Sequence, residues 1–257
     1  MHRFFVPPDS LDAGRVRIRG DVAQQIRRVL RMRPGDTFYL LDGLGYEYLA
    51  TLSEFDKDEV WADVQEKAQV QTEPAHKVSM YLSLLNKPDK FEYALQKCTE
   101  LGAVRFVPLV AERSVPGAPR SMRRERWERI IQEAAEQSGR GLIPTLDEPI
   151  PLKTALQIES NVLSEGTHVA IMPELGGEGT IAGSLQSHEG ARTASIFIGP
   201  EGGFAPSEVS MAQDAGVAIV GLGARTLRAE TAAIAALTLV LYELGEMGEA
   251  SPGRSVM

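Results

Sequence analysis

The chain has 257 residues, 43% of them hydrophobic and 24% charged, and its 27 Lys+Arg against 35 Asp+Glu give a formal net charge of −8. At about 150 residues per domain this suits one large domain or two, with the composition of a folded protein rather than a disordered one. One cysteine, Cys98, excludes a disulfide framework and a cysteine-rich zinc site, and a net charge of −8 speaks against a protein that coats polyanions.

The first residues, MHRFFVPP, break at proline before a signal-peptide apolar region forms, so a cytoplasmic protein is expected. Short strands are predicted at 3–6, 15–19, 37–41, 46–52 and 60–64. A helix is predicted over 21–32, with Val22, Ile26, Val29 and Leu30 at helical spacing, before Pro34-Gly35-Asp36 turns the chain. Five short strands and one helix suggest a small, partly closed β-barrel. Residues from about 65 to 76 are polar, carry Pro74 and read as a linker. The expected division is a barrel over 1–70, a linker over 71–76, an α/β domain over 77–245 and a polar tail over 246–257.

Beyond the linker, nearly continuous apolar strands are predicted at 77–85, 105–111, 168–172, 193–198 and 217–220. Helical patterns lie at 88–101, 121–138, 180–186, 206–215 and 227–244. Strands alternating with helices imply a mostly parallel sheet covered on both faces. The longest apolar stretch, 231–242, is too short to span a bilayer and reads as a buried helix, so no membrane partner is expected.

In an open α/β sheet ligands bind beyond the carboxyl ends of the strands. There the sequence places Pro173-Glu174-Leu175-Gly176-Gly177, Gly199-Pro200-Glu201-Gly202-Gly203-Phe204 and the glycine-containing loop 221–231. Singly each is an ordinary turn; three along one sheet edge point to a ligand site. A P-loop and a hydrolase elbow are missing. Gly177-Glu178-Gly179-Thr180-Ile181-Ala182 satisfies GxGxx[GA], but it follows the third strand of its domain, where a dinucleotide fingerprint does not belong. Four unpaired histidines and one cysteine suggest no metal site. Cys98, at helical spacing from Phe91, Leu95 and Leu101, reads as a buried structural thiol.

The charge is unevenly spread. Residues 1–35 hold eight arginines against three aspartates, a net +5, and the remainder carries −13. Arg15, Arg17 and Arg19 share one face of a predicted strand, and Arg27 and Arg31 one face of the predicted helix. A second cluster comprises Arg113, Arg120, Arg123, Arg124, Arg126 and Arg129. Such runs are ordinarily solvated faces, but arginine suits bidentate phosphate binding.

Several segments in order now resemble a known family: HRFFV at 2–6, VLRMRPGD at 29–36, NKPDKFEYALQKCTELG at 86–102, ERSV at 112–115, EAAEQSGR at 133–140, IGPEGGF at 198–204 and LGARTLRAETA at 222–232. They resemble the bacterial uridine-N3 methyltransferases of small-subunit ribosomal RNA, of the SPOUT superfamily. The resemblance implies a PUA-like, RNA-binding β-barrel followed by a SPOUT-type α/β domain with a trefoil knot, and a homodimer. It implies S-adenosylmethionine held at Met172, Pro173, Glu174, Ile198, Gly199, Glu201, Gly203, Leu222, Leu227 and Arg228, mostly through backbone. The implied partner is 16S ribosomal RNA, free or within the small subunit. Thr226 stands where an aliphatic residue is expected, a departure expected to bear on packing.

For transfer of a methyl group to a protonated ring nitrogen, Glu201 and Glu230 are candidate bases, and Arg225 and Arg228 candidate stabilisers of charge on the uracil oxygens. A structural Glu201–Arg228 ion pair is the alternative. Arg3, Arg15, Arg17, Arg19, Arg27 and Arg31 are candidate phosphate contacts, and Asn86, Lys87 and Lys90 candidates for positioning the base. Competing readings keep the fold but modify a ribose 2′-hydroxyl or a guanine nitrogen, or make the protein a non-catalytic ribosome-assembly factor. A dinucleotide-dependent oxidoreductase rests only on the GxGxx[GA] match.

Overall fold

The computed structural model describes residues 1–11, 14–114, 120–163, 166–188 and 190–248, with the backbone alone at 120–123. The tail expected at 249–257 and the side chains of Arg120 and Arg123 lie outside the described residues. Two compact units emerge, one of Met1–Glu73 with Gln132–Ile143, the other of Pro74–Ile131 with the chain from Pro144 onward.

The first unit is built on β1 (Arg3–Phe5), β2 (Arg15–Ile18), α1 (Gly20–Gln24), β3 (Thr37–Leu41), β4 (Tyr46–Asp56) and β5 (Glu59–Gln69). The sheet order is β1-β3-β4-β5-β2, with β1 parallel to β3 and the other pairs antiparallel. Period-2 alternation sends Val16 and Ile18 inward with Phe4, Ile26, Phe38, Leu40, Leu52 and Val60, while Arg15 and Arg17 face out. This is the PUA-like barrel that the resemblance implied.

Two expectations here are corrected. Residues 65–69, read as linker, continue β5, with Glu66–Gln69 paired to Tyr46–Leu49; exposed on both sides, this stretch has no alternation to betray a strand. The helix expected over 21–32 ends after one turn and passes into a π-turn over Gln25–Val29, where the Leu30 N–H donates to the Gln25 carbonyl at 2.9 Å. The wider turn swings Val29 out to 72% exposure, and Arg31 follows at φ +52°. Arg27 and Arg31 therefore do not share a helical face.

The segment Gln132–Ile143 is fixed within this unit by polar contacts. The Phe5 N–H donates to Glu136 at 3.0 Å. Glu73 accepts from the buried Arg140 guanidinium at 2.8 Å and from the Gly141 and Leu142 N–H groups at 2.9 and 3.0 Å.

The second unit runs β6 (Lys77–Ser83), α2 (Pro88–Leu101), β7 (Arg105–Val110), α3 (Arg120–Ser138), β8 (Thr145–Leu146), β9 (Ile150–Pro151) and α4 (Leu152–Leu163). It continues with β10 (His168–Pro173), α5 (Ile181–Gln186), β11 (Thr193–Ile198), α6 (Pro206–Asp214), β12 (Ala218–Val220) and α7 (Ala229–Glu243). The C-terminal part of α3, from Gln132, groups with the first unit. The sheet order is β12-β10-β11-β6-β7-β8, with β9 also on β7, and the pairs among these strands are parallel. Val78, Met80, Val169, Ile171, Ile196 and Ile198 face α2, α5 and α7, while Tyr81, Ala170, Met172 and Phe197 face α4 and α6. Burial on both faces explains why the strands read as unbroken apolar runs. This is the mostly parallel α/β domain expected, with β8, β9 and α4 in addition to the elements read from the sequence.

One buried polar network interrupts the α4 face. Glu159 accepts from the Tyr81 hydroxyl at 2.7 Å and lies 2.8 Å from His168 Nε2, whose other ring nitrogen lies 2.8 Å from the Thr193 hydroxyl. Burial alone would raise the Glu159 carboxyl, but hydrogen bonds from His168 and Tyr81 bring it below the ordinary glutamate range.

Candidate active site

Strands β12, β10 and β11 are neighbours, so the loops that follow them emerge side by side at the carboxyl edge of the sheet. Together they enclose a cleft of about 550 Å³, a size typical of small-molecule sites. Of the expected cofactor residues, Pro173, Glu174, Ile198, Gly199, Glu201, Gly203, Leu222, Leu227 and Arg228 line it. Met172 does not: it is fully buried on the α4 side of the sheet, where alternation along β10 directs it. Thr226 is exposed on the cleft wall rather than packed in the core.

The loop after β11 is shaped by its glycines. Gly203 has φ +67° and closes a turn through its N–H to the Pro200 carbonyl at 2.9 Å. Arg113, just past β7, donates to the Gly202 carbonyl at 2.8 Å and also lines the cleft. Sequence reasoning placed Arg113 in a solvated cluster, although the rule that found the other loops, inspection of the residues just beyond a strand's carboxyl end, applied to it equally. Half-buried Glu174 is pushed above the ordinary carboxylate range by burial, against the pull of the Phe204 N–H and of Arg113.

The loops after β10 and β12 cross in backbone contact. The Glu174 N–H donates to the Val220 carbonyl at 2.9 Å and the Gly221 N–H to the Gly179 carbonyl at 3.0 Å. A Cβ on Gly177 would lie 2.6 Å from the Val220 carbonyl, one on Gly179 2.6 Å from the Ile219 oxygen, and one on Gly221 2.6 Å from the Gly177 oxygen. The glycines of the GxGxx[GA] match therefore serve this crossing. A dinucleotide fingerprint has no part in them.

The catalytic candidates separate by their partners. Both Glu201 oxygens accept from the Asn86 backbone N–H, at 3.1 and 3.3 Å, so this carboxylate clasps its loop to the end of β6. Arg225 and Arg228 are exposed on the cleft wall. Among the described residues, no ion pair joins Arg228 to Glu201. Glu230, in the first turn of α7, is 9% exposed; Oε1 lies 3.8 Å from Lys90 Nζ and Oε2 is buried with no hydrogen-bond partner. Lys90 lines the cleft, while Asn86 and Lys87 are exposed before α2. No cluster of His, Cys, Asp or Glu that could hold a metal ion occurs among the described residues.

In the first unit most of the expected phosphate contacts already have counter-charges. Arg3 pairs with Glu47 at 3.4 Å, Arg15 with Glu54 at 2.5 Å and Asp63 at 3.7 Å, and both Arg17 and Arg19 with Glu59. Arg15 and Arg17 also cover the Trp61 ring, 4.7 and 5.6 Å from its centroid. Arg27 lies over Phe55 and donates to the Lys57 and Glu59 carbonyls. Arg31 is exposed and has no ion pair among the described residues.

Comparison with known proteins gives this geometry a family. Residues 72–241 match the RNA methyltransferase domain, and residues 18–65 the RNA methyltransferase PUA domain. Ribosomal RNA small subunit methyltransferase E of Bacillus subtilis is 32% identical over 252 residues, covering 95% of this chain and 97% of its own. Its namesake in Synechocystis is 34% identical over 239 residues, covering 93% of this chain and 77% of its own. A crystal structure of that enzyme from Neisseria gonorrhoeae, bound to S-adenosyl methionine, superposes with a TM-score of 0.83 at 30% identity, covering 94% of this chain and 97% of that one. With matched segments running through both units, the chain belongs to the RNA methyltransferase family that includes ribosomal RNA small subunit methyltransferase E.

Proposed function

We propose that the protein methylates N3 of a uridine in 16S ribosomal RNA, with S-adenosylmethionine as donor. The observation that carries this reading is the three-loop cleft, which combines a small-molecule volume with backbone-rich glycine loops, apolar walls at Ile198, Leu222 and Leu227, and the carboxylates of Glu174 and Glu201. A mixed apolar and carboxylate lining suits a cofactor that carries an adenine, an ammonium and a sulfonium, so the residues present fit it. When bound, S-adenosylmethionine supplies an electrophilic methyl group.

Glu230 acts as the base. Its Oε2 is a buried acceptor without a donor; Glu230 is not itself on the cleft wall, but it adjoins Ala229 and faces Lys90, which are, and an N–H brought to it there would satisfy the orphaned oxygen. A uracil N3–H is such a donor, and its proton passes to Oε2 as N3 becomes nucleophilic. Lys90 holds the other oxygen, and with Asn86 and Lys87 positions the base at the mouth of α2. Arg225 and Arg228 stabilise the negative charge that spreads to the uracil oxygens. Glu201 holds the cofactor loop through Asn86 and takes no proton.

The N-terminal unit binds RNA, and the protein works in the cytoplasm on free RNA or the small subunit. Exposed Leu239 and Tyr242 on α7 support a homodimer. The glycine crossing of the loops after β10 and β12 supports a knotted chain.

Labelled cofactor with 16S RNA, naked or in small subunits, followed by mass spectrometry of the nucleosides, tests the position. The expected product is N3-methyluridine; a methylated ribose or guanine would replace this reading. Glu230→Gln is expected to lower turnover about 100-fold while keeping affinity for S-adenosylhomocysteine, and unchanged turnover would remove Glu230 from the mechanism.

A further inference from the structure

The basic N-terminal segment divides into two chemically different sets of arginines. Those on β2 are neutralised where they stand: Arg15 by Glu54 and Asp63, Arg17 and Arg19 by Glu59, with Trp61 beneath the first two. A phosphate approaching this face must displace carboxylates that already satisfy the guanidinium groups. Arg28, Arg31 and Arg33 are different. All three are exposed, and none has an ion-pair partner among the described residues.

Their backbone is held from inside. Ile26 is fully buried and Leu30 and Met32 pack against the barrel core, so the inward residues of the π-turn anchor the outward ones. The Met32 N–H donates to the Ile26 carbonyl at 3.1 Å, and the Arg33 N–H to Asp36 Oδ2 at 2.7 Å. Arg31 occupies the left-handed region at φ +52°, where an L side chain is strained and glycine would be easier. Strain held this firmly and displaying a charge is a feature of functional segments. Exposed Val29 lies between the arginines.

We propose that Arg28, Arg31 and Arg33, presented by the turn that follows α1, form the phosphate grip for the RNA substrate, and that Arg15, Arg17 and Arg19 are internal counter-ions of the barrel. The inference rests on the RNA-methyltransferase reading and specifies where that RNA is held. Guanidinium groups without carboxylate partners bind a phosphodiester with no ion pair to break, and each phosphate neutralised releases counter-ions.

The test measures binding of the full-length protein to a fluorescein-labelled 16S RNA transcript by anisotropy, across a potassium chloride series. The combined variant Arg28→Ala, Arg31→Gly, Arg33→Ala is expected to bind at least tenfold more weakly. Its log–log salt slope should be shallower by about 2, near 0.7–0.9 for each lost phosphate contact. Glycine at position 31 accepts the left-handed backbone, so charge is removed without disturbing the turn, and S-adenosylhomocysteine affinity by calorimetry should hold. Arg17→Ala with Arg19→Ala should change affinity less than threefold with the slope intact.

If the wild type binds and the turn variant keeps its affinity and slope, the proposed grip is overturned while the RNA reading stands. Weaker binding with an unchanged slope would also overturn it, since the contacts would not be to phosphate. Loss of binding to small subunits with naked-RNA affinity intact would assign the turn to a ribosomal protein instead. A wild type that binds no RNA would bring down the RNA reading itself.

Discussion

Gly176 and Gly177 are adjacent in the loop after β10, yet the structure needs them for different reasons. Gly176 has φ +81° and open space within 4 Å of where a Cβ would stand, so alanine there meets only backbone strain of about 1 kcal/mol. At Gly177 a Cβ would drive into the Val220 carbonyl at 2.6 Å, and backbone cannot rotate away as a side chain can. Gly177→Ala is therefore expected to cost about 3 kcal/mol and to weaken cofactor binding, because the displaced loop forms one wall of the cleft. Urea unfolding with calorimetric titration of S-adenosylhomocysteine, run beside Gly176→Ala, checks both effects; equal losses in the two variants would show that the crossing is not what Gly177 serves. The sequence displayed these glycines plainly, but it could not show which backbone lay opposite them.

Among the elements, helices with local start and stop signals were legible. Pro88 in the first turn and Gly102 at φ +117° after the last bound α2 where the sequence places it. Helix α4 was missed for a non-local reason. Its buried stripe of Leu152, Ala155 and Leu156 continues into Glu159, whose burial depends on Tyr81 and His168 from distant strands. Strands β8 and β9, with two residues each, are too short for any alternation to register. The carboxyl-edge loops were legible because each follows a strong apolar strand. The division of labour between Glu201 and Glu230 was not, since it rests on an Asn86 amide and a lysine brought from elsewhere. Glu201→Ala frees the loop after β11 from the end of β6, so cofactor affinity is expected to fall about tenfold with a smaller effect on turnover at saturating cofactor. The larger effect falling on saturated turnover would return Glu201 to the list of bases.

At the scale of the whole molecule, a net charge of −8 conceals an N-terminal +5, and pairing within the barrel conceals most of that in turn. Among the described residues of that segment, the exposed arginines without an ion pair are Arg28, Arg31 and Arg33, on one turn, a much smaller target than composition suggested. Stability is also distributed unevenly with pH. The Glu159 carboxyl is below its ordinary value of 4.5 in the folded protein, so its stabilisation is present above that value and is lost as pH falls through the folded one. Glu159→Gln breaks a buried charged network and is expected to cost about 3 kcal/mol at neutral pH. The gap between variant and wild type in urea midpoint should narrow below about pH 4.5; a gap constant from pH 7 to 3.5 would mean that the carboxylate charge contributes nothing. Glu136 and Glu174 are raised by burial and act in the opposite sense, which is why the comparison with the variant is informative where the wild type's own acid curve is not.

The fully buried Cys98 has a practical consequence. Burial pushes its thiol far above the ordinary cysteine range, so it presents no thiolate to solvent, and the folded protein is chemically blank toward maleimides and other thiol reagents. As the chain has no other cysteine, one introduced at an exposed position, such as Ser187→Cys beyond α5 or Gln24→Cys at the end of α1, becomes a single addressable handle with the native residue left in place. Dyes, spin labels and crosslinkers can then report on the α/β domain and on the barrel separately, in a protein whose α2 packing has not been altered to admit them.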